Sequence, residues 1–131
     1  MYVDSSAIVA IVAAEDDGAE LAASLGRSGD RVTSVVTQFE AAISLGRLHD
    51  DYEFGVSQVA EFVDKAEIKV LDIPADIFGD VAQAYRRYGR GTGHRAKLNF
   101  GDCFSYAFAK RLNMPLLFKG DDFSRTDIEL G

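Results

Sequence analysis

Short apolar runs alternate along this chain with longer segments in which apolar residues recur every three or four positions. A short apolar run predicts a buried strand, and the longer spacing predicts a helix that packs by one face. The strand-like runs lie at 1–4, 31–35, 68–73 and 116–118. Because helical segments separate them, we predict an α/β fold with a mainly parallel sheet covered by helices on both faces.

The helical segments have recognisable ends. Ser5 or Ser6 can cap a first helix, and Gly26 is placed near the end of a second, which begins near residue 17. Further helices are predicted at 37–48, 56–67, 76–85 and 102–112. Residues 7–14 are apolar, but no basic residue precedes them and acidic residues follow at once. We interpret them as a buried helix and not as a secretory leader.

Length and composition favour a single domain. The chain has 131 residues, of which 47% are hydrophobic, and this is enough to form one core. Its single cysteine, Cys103, allows no internal disulfide, which favours a reducing compartment such as the cytoplasm. We expect Cys103 to pack within its helix, because the sequence places no histidine beside it as a nucleophile would need.

The charge is unevenly distributed. A net charge of −7 argues against a general polyanion-binding surface. Residues 86–97 nevertheless contain no acid and concentrate the basic side chains Arg86, Arg87, Arg90, Arg95 and Lys97, together with His94. Such a run is either a solvated glycine-rich loop or a place where the backbone of a nucleic acid is held.

Acidic residues occur where the predicted strands and helices meet. Asp4 ends the first strand, and Asp121 and Asp122 follow the last one. Glu40 is predicted in the first turn of the helix after the second strand, and Asp102 at the start of the helix before the last strand. Ligands of parallel sheets bind at the carboxyl ends of the strands, and all of these acids can face that end.

Each acid also has a purely structural explanation. Asp4 and Asp102 can cap helices, and Glu40 can complete a capping box that begins at Thr37. Asp121 and Asp122 can be turn residues after Gly120. Separate caps and turns would not explain why all of them are predicted at one end of a sheet.

A cluster of carboxylates needs compensation. Two carboxylates about 4 Å apart repel each other by roughly 4 kcal/mol at an effective dielectric constant near 20. Either some of the groups take up protons or a cation lies among them. Carboxylate oxygens suit Mg²⁺ or Mn²⁺, and metal-assisted hydrolysis of a phosphodiester is the chemistry that such a site performs.

Four sequence blocks resemble a known family. They are "VDSSAIVAI", "SVVTQFEAAISLGRL", "HRAKLNFGDCFSYAFAK" and "PLLFKGDDFSRTDI". In this order and at these separations they resemble the PIN domain, and in particular the VapC toxins of bacterial type II toxin–antitoxin modules. The resemblance covers nearly the whole chain and implies one PIN domain over residues 1–131.

The resemblance implies a three-layer α/β/α sandwich and a Mg²⁺- or Mn²⁺-dependent endoribonuclease. Asp4 and Asp102 match the family's main metal ligands, and Glu40 matches an acid that binds the ion or orients a water. The fourth acid is either Asp121 or Asp122. Ser6 is expected to support Asp4 by hydrogen bonding.

The resemblance also implies partners. We expect an RNA substrate held by Arg86, Arg87, Arg90, His94, Arg95 and Lys97, a VapB-type antitoxin and a homodimer. Two alternatives remain open at this stage. One is a catalytically silent module that only binds its antitoxin. The other is a phosphoacceptor receiver domain, which is disfavoured because only one acid follows the first strand.

Overall fold

Four short parallel strands form the centre of the structure, a computed structural model that describes residues 1–131. The strands are β1 (Tyr2–Val3), β2 (Val32–Ser34), β3 (Lys69–Leu71) and β4 (Leu116–Leu117). Their order in the sheet is β3-β2-β1-β4, and every neighbouring pair is parallel. The predicted parallel α/β sheet is therefore confirmed.

Six α-helices connect and cover the strands. They are α1 (Ser5–Val12), α2 (Gly18–Gly26), α3 (Val35–His49), α4 (Tyr52–Lys65), α5 (Ile77–Tyr88) and α6 (Phe100–Leu112), and a short 3₁₀ helix spans Phe123–Arg125. None of these helices combines the length and the hydrophobicity that are needed to cross a bilayer.

The sheet separates two apolar cores because neighbouring residues of a strand point to opposite faces. Tyr2 of β1 and Leu116 of β4 pack on one face with α5 and α6. Val3 and Leu117 pack on the other face with α1, α2, α3 and α4. The structure therefore has the three layers of the predicted α/β/α sandwich.

The order of the strands fixes where a ligand can bind. The chain runs from β1 outward through β2 to β3, and then returns to place β4 on the other side of β1. The boundary between β1 and β4 is thus the switch point of the sheet, where the loops after the strands diverge and leave a crevice. Asp4 follows β1 directly, and its backbone N–H donates to the carbonyl of Leu117 (3.0 Å).

Helix α3 begins two residues earlier than predicted. Ser34 is its N-cap residue and Val35 its first residue, so Glu40 lies in the second turn and not in the first. The predicted capping box between Thr37 and Glu40 is wrong. Thr37 is buried, and its hydroxyl hydrogen-bonds to the hydroxyl of Tyr2 (2.8 Å). This contact leaves the Glu40 carboxylate available for other interactions.

The other corrections also concern the ends of elements. Helix α1 is capped by Asp4 itself, whose side chain accepts from the backbone N–H of Ser6, and not by Ser5 or Ser6. Helix α6 begins at Phe100 after the N-cap Asn99, so Asp102 is its third residue. Helix α4 begins four residues earlier than predicted, while β3 and β4 are shorter than the apolar runs that contain them.

The segment after β4 has little regular structure but is firmly attached. Phe123 is buried, and its ring packs edge-on against Phe118 at 4.9 Å. The Asp127 carboxylate accepts hydrogen bonds from the hydroxyls of Tyr88 and Tyr106. These anchors fix the path of residues 119–122, which border the switch point.

Candidate active site at the switch point of the sheet

An open, polar cleft of about 490 Å³ lies at the carboxyl end of the sheet. Its walls come from the loop after β1, the second turn of α3, the first turn of α6 and the loop after β4. Five of its 13 lining residues are acidic, namely Asp4, Glu15, Glu40, Asp102 and Asp122. The structure thus brings four of the five predicted site acids to one cleft.

Asp4 is the most deeply placed of these acids. Its side chain is only 1% exposed and is surrounded by hydroxyl donors. Oδ1 accepts from the buried hydroxyl of Ser105 (2.6 Å), and Oδ2 accepts from the hydroxyl and the backbone N–H of Ser6 (2.6 and 3.0 Å). These donors stabilise a carboxylate in a buried position without cancelling its charge.

Ser6 also joins the two loops of the switch point. While its hydroxyl donates to Asp4, its oxygen accepts from the backbone N–H of Lys119 (3.0 Å). The predicted support of Asp4 by Ser6 is confirmed, and the same hydroxyl fixes the loop after β4 against α1. One side chain therefore fixes the position of the 119–122 loop relative to Asp4.

Asp102 caps helix α6 and also lines the acidic cleft. Its backbone N–H donates to the Asn99 side chain (2.9 Å), and its Oδ2 accepts from the Asn99 backbone N–H (3.0 Å), which completes a capping box. Oδ1 makes no hydrogen bond within the chain. The capping explanation is correct, but it uses only one of the two oxygens and leaves the other available to the cleft.

Glu40 approaches the first turn of α6. Its Oε1 accepts from the hydroxyl of Ser5 (2.5 Å). Its carboxylate lies against Gly101, so closely that a Cβ atom at residue 101 would collide with it. The missing side chain of Gly101 is therefore what allows Glu40 to lie beside Asp102.

The structure distinguishes the two acids after β4. Asp122 lines the cleft, and its charge acts on Asp102, whereas Asp121 does not line the cleft. The backbone carbonyl of Asp121 accepts from the N–H of Ser124 at the start of the 3₁₀ helix (3.1 Å). Of the two residues that the sequence could not separate, Asp122 is the one that faces the other acids.

The cleft contains more negative charge than the protein neutralises. Its one cationic side chain, Lys119, forms ion pairs with Glu15 (3.3 Å) and Asp17 (3.4 Å). Burial, together with the nearby charges of Asp4, Glu40 and Asp122, raises the pKa of Asp102 to about 7, although the Asn99 N–H opposes this shift. Burial and the charge of Asp4 also raise the pKa of Glu40 against the opposing Ser5 hydrogen bond.

The donor set of the cleft fits a hard divalent cation. Carboxylate oxygens are the ligands that Mg²⁺ and Mn²⁺ prefer. Burial, reinforced by the neighbouring acids, raises the pKa values of Asp102 and Glu40, as expected for carboxylates that no cation balances. No group of three or more acidic, histidine or cysteine side chains is arranged to hold a metal ion by itself. Such an open arrangement suits an ion that binds a few carboxylates and keeps several water ligands.

None of the six predicted RNA-binding residues lines this cleft. Arg86 and Arg87 belong to the last turn of α5 and not to a loop, and Arg87 lies 4.0 Å from Asp127. Arg90, Lys97 and the His94 ring border a separate recess. His94 is half-buried and packs edge-on against Tyr88 at 4.9 Å.

Several residues of the site were not predicted from the sequence. Ser5, Asn99, Gly101 and Ser105 hold the acids, and Lys119 neutralises part of the rim. The only signal for them in the sequence is that Ser5 follows Asp4 and Gly101 precedes Asp102. Cys103 is buried and burial raises the pKa of its thiol to about 11, which confirms the predicted packing role.

Comparisons with known proteins agree with this architecture. The sequence model of the PIN domain matches residues 1–129. The VapC ribonuclease Mb2780c of Mycobacterium bovis is 44% identical over 128 residues, which cover 98% of this chain and 96% of that protein. The Ribonuclease VapC of Mycolicibacterium smegmatis is 39% identical over 128 residues, which cover 98% and 97% of the two chains.

A solved structure shows the same fold. The crystal structure of Mycobacterium tuberculosis VapC20 (Rv2549c), a Sarcin-Ricin loop cleaving toxin, superimposes with a TM-score of 0.73 at 21% identity. The match covers 97% of this chain and 95% of that one. Taken with the sequence matches, the parallel sheet and the acidic cleft at its switch point, these findings show that the chain belongs to the PIN domain family and, within it, to the VapC group.

Proposed function

We propose that this protein is the toxin of a type II toxin–antitoxin module and acts as a Mg²⁺- or Mn²⁺-dependent endoribonuclease. The observation that supports this most strongly is the uncompensated group of carboxylates in the cleft, with a pKa of about 7 at Asp102. The names of its relatives, which are VapC ribonucleases, agree with the same activity.

Asp4 and Asp102 are the proposed metal ligands. Asp4 is held by three donors, and Asp102 directs an oxygen without a hydrogen bond toward the cleft. Glu40 and Asp122 would orient water ligands of the ion and add negative charge to the cleft. The ion, when bound, supplies an activated water and stabilises charge on the phosphoryl oxygens.

The protein must also hold a polyanion beside an acidic cleft. Arg90, Arg95 and Lys97 are exposed, and none of them has an acidic partner in the chain. They precede the first turn of α6, which contributes Asp102 to the cleft. We propose that these side chains, with Arg86, Arg87 and His94 as further contacts, bind the RNA backbone on this side of the active site.

An antitoxin partner is part of the proposal. An apolar groove of about 230 Å³ between α3 and α4 is bordered by the exposed side chains of Val35, Phe39, Tyr52 and Val56. A VapB-type antitoxin can cover this groove with an apolar helix face and offer a basic side chain to the acidic cleft. A homodimer in the cytoplasm is the assembly that we expect for the free toxin.

Cleavage of RNA by the purified protein, freed of any partner, tests the proposed activity. We expect discrete fragments from total bacterial RNA with Mg²⁺ or Mn²⁺, and none with EDTA. Asp4→Asn and Asp102→Asn should each slow cleavage by at least about 100-fold, because losing even an outer-shell partner costs about 10–100-fold. Asp121→Asn is the matched control, since it removes the same charge outside the cleft and should remain active.

Two results would contradict this proposal. If the folded, metal-supplied protein cleaves none of the RNA, a silent antitoxin-binding module becomes the better explanation. If Asp121→Asn is as inactive as Asp102→Asn, the assignment of Asp122 as the fourth acid is wrong.

The raised pKa of Asp102 predicts how the metal-free protein responds to pH. Between about pH 4 and pH 7 the native state holds a proton on Asp102 that the unfolded state has lost, so stability falls as the pH rises through this window. Asp102→Asn removes this penalty and keeps an oxygen acceptor for the Asn99 N–H. At pH 8 in EDTA the variant should be more stable by on the order of 2 kcal/mol.

Urea unfolding at pH 5 and pH 8 measures this difference. The two proteins should differ less at pH 5 than at pH 8, because Asp102 is protonated in the native state at the lower pH. A variant that is less stable than the original protein at pH 8 would show that the capping interaction outweighs the electrostatic repulsion.

Gly101→Ala tests the placement of Glu40. The new methyl group occupies the position of the Glu40 carboxylate, which must move away from Asp102. Because the displaced group is the end of a flexible side chain, we expect cleavage to fall by roughly 10-fold while thermal unfolding changes little. Gly79→Ala is the control, since it adds a methyl group to α5 in open space and should leave cleavage unchanged.

A further inference from the structure

Phe100 is an apolar side chain that the fold leaves in water. It is 75% exposed, whereas most aromatic residues of this chain are partly or fully buried. Placing a phenyl ring in solvent sacrifices the stabilisation that burial would give, and Phe100 contributes to neither apolar core. Its exposure therefore has no explanation in the stability of the fold.

The position of Phe100 connects it to the acidic cleft. It is the first residue of α6, and both Asn99 before it and Asp102 after it line the cleft. Gly101, the next residue, contacts the Glu40 carboxylate. Phe100 thus lies within one helical turn of a proposed metal ligand and between residues that line the cleft, while its own ring lies outside the lining.

The ring of Phe100 packs against the ring of Phe104. Phe104 lies one turn further along α6, and the two ring centroids are 5.3 Å apart with an interplanar angle of 47°. Phe104 is half-buried and packs against the core of α5 and α6, so it is a fixed support. A ring held in this way loses little freedom when a second flat group stacks on it.

The charges nearby favour a nucleic acid as that group. The exposed cations Arg90, Arg95 and Lys97 lie just before Phe100 in the chain and have no acidic partner. A polyanion with flat bases can bind these cations with its phosphates while a base meets the ring.

We propose that Phe100 is a stacking platform for an unpaired base of the RNA next to the cleaved phosphodiester. This inference rests on the proposed ribonuclease function and assigns a substrate-binding residue to it. It also implies that the substrate is single-stranded or splayed open at the cleavage site, because a paired base cannot offer its face to a side chain.

Substitutions at Phe100 separate stacking from simple apolar contact. Phe100→Leu keeps an apolar side chain and removes the aromatic ring, while Phe100→Trp keeps a ring. Phe78→Leu is the matched control. Phe78 is 77% exposed, and its neighbours Asp76 and Asp80 pair with Arg111 at the other end of α6, about 16 Å along the helix axis from Phe100.

Binding is measured with a fluorescent single-stranded RNA of randomised sequence, in the Asp102→Asn protein so that the RNA stays intact. Phe100→Leu and Phe100→Ala should weaken binding by roughly 5- to 150-fold, the range found when a base loses an aromatic partner. Phe100→Trp and Phe78→Leu should bind within about twofold of the parent. The same Phe100 substitutions in the otherwise unchanged protein should raise KM for RNA cleavage more than they lower kcat.

The outcomes distinguish base stacking by Phe100 from the proposed ribonuclease function. If the unchanged protein cleaves RNA and Phe100→Leu binds and cleaves equally well, stacking is wrong and the ribonuclease function stands. If Phe100→Leu affects only self-association or capture of a protein partner, Phe100 is a protein contact and the inference is overturned. A folded parent protein that neither binds nor cleaves RNA would overturn both.

Discussion

The burial of several carboxylates beside one another, at the boundary between β1 and β4, is the constraint on which this site depends. Asp4, Glu40, Asp102 and Asp122 come from four separate segments, and each is placed by the end of a strand or by a helix. Burying them beside one another costs free energy, and burial, reinforced by the neighbouring charges, raises the pKa values of Asp102 and Glu40. The fold tolerates this cost because two packed cores and a parallel sheet hold the segments in place.

The choice of supporting groups preserves the negative charge of the cleft. Asp4 and Glu40 are held by the hydroxyls of Ser5, Ser6 and Ser105, which donate hydrogen bonds but bring no positive charge. The one cationic side chain of the cleft, Lys119, pairs with Glu15 and Asp17. An arginine or lysine among the site acids would stabilise the carboxylates in the absence of metal and weaken their attraction for a metal ion. Neutral donors keep the carboxylates ordered and leave them without a positively charged partner.

The sequence predicted the parts of this arrangement that depend on pattern. Alternating apolar runs gave the parallel sheet, and acids at the ends of predicted strands gave the location of the site. The ends of α3 and α6 were misplaced for a physical reason. Val35 and Val36 are β-branched and continue the preceding strand-like run. The pattern therefore placed Val35 in a strand, whereas it is the first residue of α3. Asn99 was not recognised as the cap of α6, so the helix was started at Asp102.

Other features depend on three-dimensional geometry that no local pattern encodes. Asp121 and Asp122 are adjacent and chemically identical, and the path of the loop after β4 decides which one faces the cleft. The role of Gly101 depends on a carboxylate 61 positions earlier in the chain, at Glu40. Phe100 fits the helical pattern as an ordinary apolar residue, and only its exposure distinguishes it from the core residues around it.

Calorimetric titration of the metal-free protein with Mn²⁺, in buffers of different ionisation enthalpy, tests the central claim most directly. Because the pKa of Asp102 is about 7 without metal, binding at pH 6 should release close to one proton for each ion bound, and binding at pH 8.5 should release almost none. Asp102→Asn should bind more weakly and release far fewer protons at either pH. Equal Mn²⁺ affinity in the original protein and in Asp102→Asn, with no proton release at pH 6, would contradict the account.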